Sequence, residues 1–133
     1  IHPDIIVSFQ MLEHLNSPVT FLKSIAENSS CKYFLVTVPY RKISRIGLFH
    51  IRNHLEENVY AENTHVFELC PEDWRLISMH AGWRVVEDKT FLQYPRMNPL
   101  RFTRNCWKNF DHEGFYGMIL EKDSNWSKRY LDW

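Results

Sequence analysis

Residues 4–22 read DIIVSFQMLEHLNSPVTFL, and this stretch decides the fold. Its first part, Asp4–Phe9, is a short run of mostly β-branched, apolar residues that does not alternate with polar ones. Such a run is typical of a parallel strand that is covered on both faces of its sheet. We therefore predict a buried parallel strand at the start of the chain.

A helix and a second strand follow this first strand. The helix is predicted from Pro18 to about Asn28, because Ser17 is a good N-cap and proline suits the first helical position. The second buried strand is predicted at Tyr33–Val38, and Pro39 is expected to end it. A strand, a helix and a strand at this spacing predict a βαβ unit with a right-handed crossover.

The rest of the chain predicts one more helix and two more strands. Residues 40–65 form a connection whose length indicates a function or short helices within it. The helix is predicted from about Pro71 to His80, and Gly82 is placed to end it in a left-handed turn. Strands are predicted at 83–91 and 116–121, so the order of elements predicts an α/β fold.

The composition excludes several classes of protein. The 133 residues suffice for one domain at most, and 16 basic side chains balance 16 acidic ones, which is not the balance of a dedicated nucleic-acid binder. The apolar runs are too short to span a membrane, and no signal peptide opens the chain. Three dispersed cysteines favour reduced thiols and a cytoplasmic location. Because Ile1 immediately precedes a buried strand, we expect the sequence to be a fragment.

Three segments carry, in order, the motifs of one enzyme family. Residues 4–22 hold a strand, a Leu-Glu-His step and a Ser-Pro entry into a helix. Residues 33–40 are a strand that ends in VPY, and residues 65–83 combine His, Phe, a helix and an Ala-Gly-Trp step. Together they resemble the fourth to sixth strand regions of the class I S-adenosylmethionine-dependent methyltransferases, over roughly residues 2–91.

The resemblance implies a partial Rossmann-like sheet with flanking helices, strand order 4-5-7-6 and an antiparallel last strand. Residues 1–133 would be the carboxy-terminal part of a methyltransferase domain, with insertions at about 41–65 and 92–114. The first half of that domain, which binds the cofactor, is expected to be missing, because the chain has four glycines but no Gly-x-Gly. The intact protein is expected to transfer a methyl group from S-adenosylmethionine to an unidentified nucleophile, and this chain alone is expected to be inactive.

Side chains just past the first strand are the candidate site, because ligands of open α/β sheets bind beyond the carboxyl ends of the strands. The resemblance places Ser8, Phe9 and Gln10 along the methionine end of the cofactor and makes His14 the nearest candidate base.

Glu13, His14 and the distal His65 are candidate metal ligands. In small-RNA 2′-O-methyltransferases and quinone-biosynthesis O-methyltransferases, the resembling segment reads Glu-x-x-Glu-His and holds a divalent cation. Mg²⁺, Mn²⁺ or a transition metal would lower the pKa of a substrate hydroxyl. Gln10 replaces the first Glu here, which weakens a site for a hard cation. The alternative, favoured because many family members use no metal, is that Glu13 caps local backbone and His14 packs near the cofactor or substrate.

The sequence also raises hypotheses about partners. Residues 92–114 mix arginines with aromatic residues, which suits a lid over the sheet or the binding of RNA or a phosphorylated substrate. The sequence does not identify the methyl acceptor, which we expect to be a small molecule or RNA. Arg41 and Arg45 either lie in solvent or bind an anionic substrate. The edge of strand 4–9 is expected to be exposed and to pair with upstream residues or a second copy. The alternative function is a non-catalytic module for partner binding or dimerisation.

Overall fold

The computed structural model describes residues 3–47, 65–93, 99–103 and 113–129. The main sheet has four strands, which are β1 (Ile5–Phe9), β2 (Tyr33–Tyr40), β5 (Trp83–Leu92) and β6 (Gly114–Lys122). A separate ladder joins β3 (Arg45–Ile46) to β4 (Phe67–Glu68). The helices are α1 (Pro18–Asn28), α2 (Pro71–His80) and the single turn α3 (Ser124–Ser127), with 3₁₀ helices at Leu12–His14 and Pro99–Thr103.

The main sheet has the strand order β1-β2-β6-β5. β1 and β2 run parallel, with Ile5 opposite Tyr33 and Phe9 opposite Thr37. β6 lies between β2 and β5 and is antiparallel to both. The observed topology confirms the predicted strand order and the antiparallel direction of the last strand.

One local prediction about this part of the chain was wrong. Pro39 does not end β2 but lies inside it, opposite Phe115 of β6. β1 has already ended at this level, so one edge of β2 is free and the proline nitrogen need not donate a hydrogen bond. Ser17 stands at the N-cap of α1, as predicted, and its hydroxyl pairs with the Thr20 hydroxyl at 2.6 Å instead of with a backbone amide.

α1 and α2 pack on one face of the sheet, which we call the inner face. Buried residues from both helices and from the sheet form the core, among them Leu22, Phe34, Val36, Trp74, Trp83, Tyr116, Met118 and Leu120. Trp83 joins β5 to α1, because its indole N–H donates a hydrogen bond to the Leu22 carbonyl oxygen at 2.9 Å. The inner face therefore fixes how the βαβ unit lies against the rest of the sheet.

The opposite face, which we call the outer face, is open over β1. Ile5, Val7 and Phe9 are 53%, 55% and 62% exposed, respectively, so the prediction that this strand is buried on both faces was wrong. Within the described ranges β1 has a neighbour on one side only, as predicted for strand 4–9.

Two further predictions concern thiols and membranes. Cys31 and Cys70 are free thiols, as predicted, and Cys106 lies outside the described residues. In the described part of the chain, no helix is long and apolar enough to cross a membrane.

Candidate active site

The chain leaves the sheet through an unusual turn at Gln10. Its φ angle is 51°, in the left-handed region that residues other than glycine seldom adopt. The turn is fixed to β2, because the Gln10 amide donates to the Thr37 carbonyl oxygen at 2.9 Å and Nε2 donates to Thr37 Oγ1 at 3.1 Å. Strained backbone of this kind persists where surrounding contacts hold it, and it concentrates at functional sites.

Ser8 and Phe9 lie beside this turn and differ in exposure. Ser8 is 8% exposed, and its hydroxyl oxygen has no hydrogen-bond partner among the described residues. The Phe9 side chain is largely exposed on the outer face. Because buried hydroxyl groups are nearly always hydrogen-bonded, the Ser8 hydroxyl marks a place where a polar ligand or a water would bind.

Glu13 is a fully buried acid in the 3₁₀ helix that follows the turn. Its exposed fraction is 0%, and neither carboxyl oxygen has a hydrogen-bond partner in the described ranges. Burial raises the pKa of Glu13, while its own backbone amide and the neighbouring His14 lower it by smaller amounts. A buried carboxylate is stable only when it is paired or neutralised.

His14 and His65 complete a cluster with Glu13. His14 Nε2 lies 3.7 Å from Glu13 Oε1, and the centroids of the two histidine rings are 4.7 Å apart in an edge-to-face arrangement. One potential ligand atom from each of the three residues lies within 4.8 Å of the others. Glu13 is buried and both histidines are partly exposed, so the cluster is accessible from one side. The structure thus brings together all three predicted metal ligands.

His65 is positioned by a close approach of two backbone segments. The Val66 amide donates to the Glu13 carbonyl oxygen at 2.7 Å, and the Gly47 amide donates to the Val66 carbonyl oxygen at 2.8 Å. A Cβ atom at position 47 would lie 1.8 Å from the His65 carbonyl oxygen. Only glycine allows this approach, a requirement that the sequence pattern did not reveal.

Glu68 anchors the same segment through charge. Its buried carboxylate bonds to Arg45 Nε and lies 3.6 Å from Arg41 Nη1. We predicted that these two arginines lie in solvent or bind an anionic substrate. The sequence did not reveal their pairing with Glu68, because Glu68 comes more than twenty residues later in the chain. The Arg45–Glu68 pair joins β3 to β4, and the Arg41–Glu68 pair ties the segment after β2 to β4.

Several solved structures share this arrangement of elements. One comes from Haloferax volcanii, from a complex of the Trm112 methyltransferase activator with a protein described as a methyltransferase. Its TM-score is 0.57 at 14% sequence identity, and the match covers 92% of this chain and 54% of the Haloferax chain. A Galdieria sulphuraria protein described as a sarcosine dimethylglycine methyltransferase has a TM-score of 0.56 and 12% identity, covering 93% and 54%. The 4+2 cyclase SpnF has a TM-score of 0.57 and 11% identity, covering 92% and 51%.

The chain has a class I methyltransferase-like fold. It spans about half the length of these three structures. No protein-family model matches the chain, and no curated protein matches its sequence. Because one of the three similar structures is a cyclase, the methyltransferase-like fold does not by itself fix the reaction.

In this methyltransferase-like fold the cluster and the Gln10 turn lie at the carboxyl end of β1, where open α/β sheets bind their ligands. Much of the predicted arginine-rich and aromatic insertion, residues 94–98 and 104–112, lies outside the described residues. Between these ranges, the Phe102 side chain is 90% exposed.

Proposed function

We propose that the natural protein containing this chain transfers a methyl group from S-adenosylmethionine to a small molecule or RNA. The observation that carries the proposal is the cluster of Glu13, His14 and His65 at the carboxyl end of β1 in a methyltransferase-like fold. Calorimetry tests this proposal by measuring whether the natural full-length polypeptide binds S-adenosylhomocysteine, the product of the reaction.

Ser8, Phe9 and Gln10 would line one side of the bound cofactor. When bound, S-adenosylmethionine supplies an electrophilic methyl carbon attached to a sulfonium. The Ser8 hydroxyl, which lacks a partner within the described part of the chain, suits a polar group of the cofactor, and the exposed Phe9 ring suits its apolar surface. Because the chain has no Gly-x-Gly, these residues fit one side of the cofactor only, and the close backbone approach must come from elsewhere.

His14 is the candidate general base. Its ring is partly exposed, and the buried Glu13 carboxyl lies 3.7 Å from its Nε2 atom. As the acceptor nucleophile forms its bond to the methyl carbon, His14 would accept the proton that the nucleophile loses. The negative charge of an ionised Glu13 would stabilise the resulting imidazolium. Positioning of the acceptor and exclusion of water would supply the rest of the rate acceleration.

The same cluster fits a divalent cation. The Glu13 carboxyl, which has no hydrogen-bond partner among the residues that the structure describes, and two imidazoles place ligand atoms within 4.8 Å of one another, and a cation would satisfy this donor set. A cation held by Glu13, His14 and His65 would compensate the buried charge and lower the pKa of an acceptor hydroxyl. One nitrogen of His14 cannot hold a cation and accept a proton at once, so metal analysis separates the two mechanisms.

Glu13→Gln is expected to weaken Mn²⁺ binding by about 100-fold or more, because it removes the anionic ligand. In metal-free protein the same change should raise the free energy of unfolding by about 1–3 kcal/mol at pH 8, because burial raises the pKa of Glu13 and folding must then either bury a charge or take up a proton, whereas the amide stays neutral. Thermal unfolding of the dialysed natural polypeptide, with and without Mn²⁺, measures both effects.

The matched control is Glu27→Gln, since Glu27 is an exposed residue of α1. This variant should keep the stabilisation by Mn²⁺ and the metal-free stability of the wild type. Equal stabilisation of the wild type and Glu13→Gln by Mn²⁺ would rule out the metal site. Absence of any Mn²⁺ effect on the wild type would leave His14 as the base.

The alternative function is a non-catalytic module with a methyltransferase-like fold. The chain spans about half the length of the similar structures, and a part of a methyltransferase-like fold could serve such a non-catalytic role. A module of this kind would need neither an unpaired buried acid nor two adjacent imidazoles, so the cluster favours the enzyme. Failure of the natural polypeptide to bind S-adenosylhomocysteine would favour the module.

A further inference from the structure

A cavity of about 520 Å³ lies between α2, the first residues of β5 and the short helix α3. Cavities of this volume accept small organic molecules. Its described lining includes two tryptophans and three arginines, which are Trp83, Trp126, Arg75, Arg84 and Arg129. Aromatic and cationic side chains together suit a ligand that has an apolar body and a negative charge.

Both tryptophans of the cavity are held in place through their indole N–H groups. Trp83 donates a hydrogen bond to the Leu22 carbonyl oxygen at 2.9 Å, and Trp126 donates one to His80 Nδ1 at 3.2 Å. Because these donors are satisfied, the accessible parts of the rings offer apolar contact. Trp83 is 1% exposed, so most of the aromatic surface within reach of a ligand belongs to the partly buried Trp126. A ligand would then order few side chains on binding, which favours affinity.

Two arginines of the cavity form ion pairs with acids that do not line it. Arg75 Nη2 lies 2.9 Å from Asp88 Oδ1, and Arg84 Nη2 donates a hydrogen bond to Glu121. A guanidinium carries five N–H donors, so one such pair does not use all of them. Both side chains can therefore contribute positive potential and further donors to the cavity.

Arg129 forms no ion pair within the part of the chain that the structure describes. Its Cζ atom lies 4.5 Å from the centroid of the Trp126 ring, which is a cation–π contact. A guanidinium stacked on a ring keeps its N–H donors in its own plane, where a carboxylate can bind them. The described lining contains one acid, Asp123, and this carboxylate accepts a hydrogen bond from the Asn125 amide at 2.9 Å.

The cavity lies at the end of the sheet opposite to the cluster of the proposed active site. The end of β6 pairs with the starts of β2 and β5, because Glu121 lies opposite both Tyr33 and Arg84. Tyr33 in turn lies opposite Ile5, the first residue of β1. The cluster, by contrast, follows Phe9, the last residue of β1. A ligand in the cavity would therefore bind apart from the cluster.

We propose that the cavity between α2, β5 and α3 binds a small aromatic carboxylate, with its ring against Trp126 and its carboxylate on Arg129. A carboxylate fits the planar fork of a guanidinium. One guanidinium without an ion pair balances the single charge of a carboxylate, whereas a phosphate monoester brings nearly two negative charges. Binding in this cavity requires neither S-adenosylmethionine nor a metal ion, so this proposal and the proposed methyl transfer can fail independently.

Titration of the natural full-length polypeptide with 2-naphthoate, followed by NMR of the tryptophan indole N–H signals, tests the proposal. We expect a saturable shift of the Trp126 signal, which a Trp126→Phe variant identifies by its absence. The neutral 2-naphthamide should bind at least 10-fold more weakly, because it lacks the charge that Arg129 recognises. Equal affinities for the two compounds, or for 2-naphthoate and inorganic phosphate, would overturn the proposal. So would an unshifted Trp126 signal at about 1 mM 2-naphthoate.

Paired variants locate the charge that binds the carboxylate. Arg129→Gln should weaken the binding of 2-naphthoate by about 10-fold, because it removes a charge-assisted hydrogen bond. Lys128→Gln is the matched control, since Lys128 is an exposed neighbour of the same charge that does not line the cavity. This control should bind 2-naphthoate as the wild type does. Equal weakening in the two variants would show a general attraction of anions and contradict the site. If Arg129→Gln does not fold, the comparison of 2-naphthoate with 2-naphthamide on the wild type decides alone.

Discussion

His14→Ala is expected to lower methyl transfer by about 10²–10⁴-fold, the usual contribution of a general base. Binding of S-adenosylhomocysteine should stay within about two-fold of the wild type, because the acceptor's proton is not involved in binding the product. The measurement is transfer of tritiated methyl groups from S-adenosylmethionine by the natural full-length polypeptide. Small molecules and RNA from cells serve as separate acceptor fractions, so the labelled fraction also identifies the acceptor class.

The control for this variant is His80→Ala. His80 is a partly exposed residue at the end of α2, where its Nδ1 atom accepts a hydrogen bond from Trp126 at 3.2 Å. Because it lies outside the cluster, transfer by His80→Ala should match the wild type. Undiminished transfer by His14→Ala would show that this histidine neither accepts the proton nor holds a required cation.

Trp83→Ala is expected to lower the free energy of unfolding by about 3–5 kcal/mol, as is usual for a buried tryptophan. Trp83 is 1% exposed and packs its ring 5.6 Å from that of Phe34. The substitution would also leave the Leu22 carbonyl oxygen without the indole donor. Domains of this size are stable by about 5–15 kcal/mol, so the loss would be a large part of the total. Urea unfolding followed by circular dichroism measures it.

Trp126→Ala is the matched comparison for Trp83→Ala. Trp126 is the same residue type in the short helix α3, where it is only partly buried. Its removal should cost much less stability, because less apolar surface returns to water. Equal losses for the two variants would contradict the central position of Trp83 between β5 and α1.

Local signals predicted the main elements well. The proline that opens each of α1 and α2 marks the helix start that the structure shows. Gly82 has a φ angle of 90°, the left-handed turn expected after α2. These features depend on a few neighbouring residues, and for that reason they can be recognised in the sequence. The strand order came from the family resemblance and not from these local patterns.

Features that depend on distant residues were missed. The β3–β4 ladder joins short strands separated by about twenty residues, and neither strand has a pattern of its own. The pairing of Arg41 and Arg45 with Glu68 follows from that ladder. The Pro39 prediction failed because the sequence does not show where the neighbouring β1 ends. The three cluster residues came from the family resemblance, whereas the lack of hydrogen-bond partners for Glu13 became visible only in the structure.

Glu13, His14 and His65 lie past the carboxyl end of β1, which is the usual place for a ligand in open α/β sheets.

The most direct test of the proposed methyl transfer is calorimetric titration with S-adenosylhomocysteine of residues 1–133 alone and of the natural full-length polypeptide. We expect one equivalent to bind the full-length polypeptide, and no binding to residues 1–133, because the chain supplies only one side of the cofactor site. Absence of binding to the full-length polypeptide would contradict the proposed methyl transfer and favour a non-catalytic role for the fold.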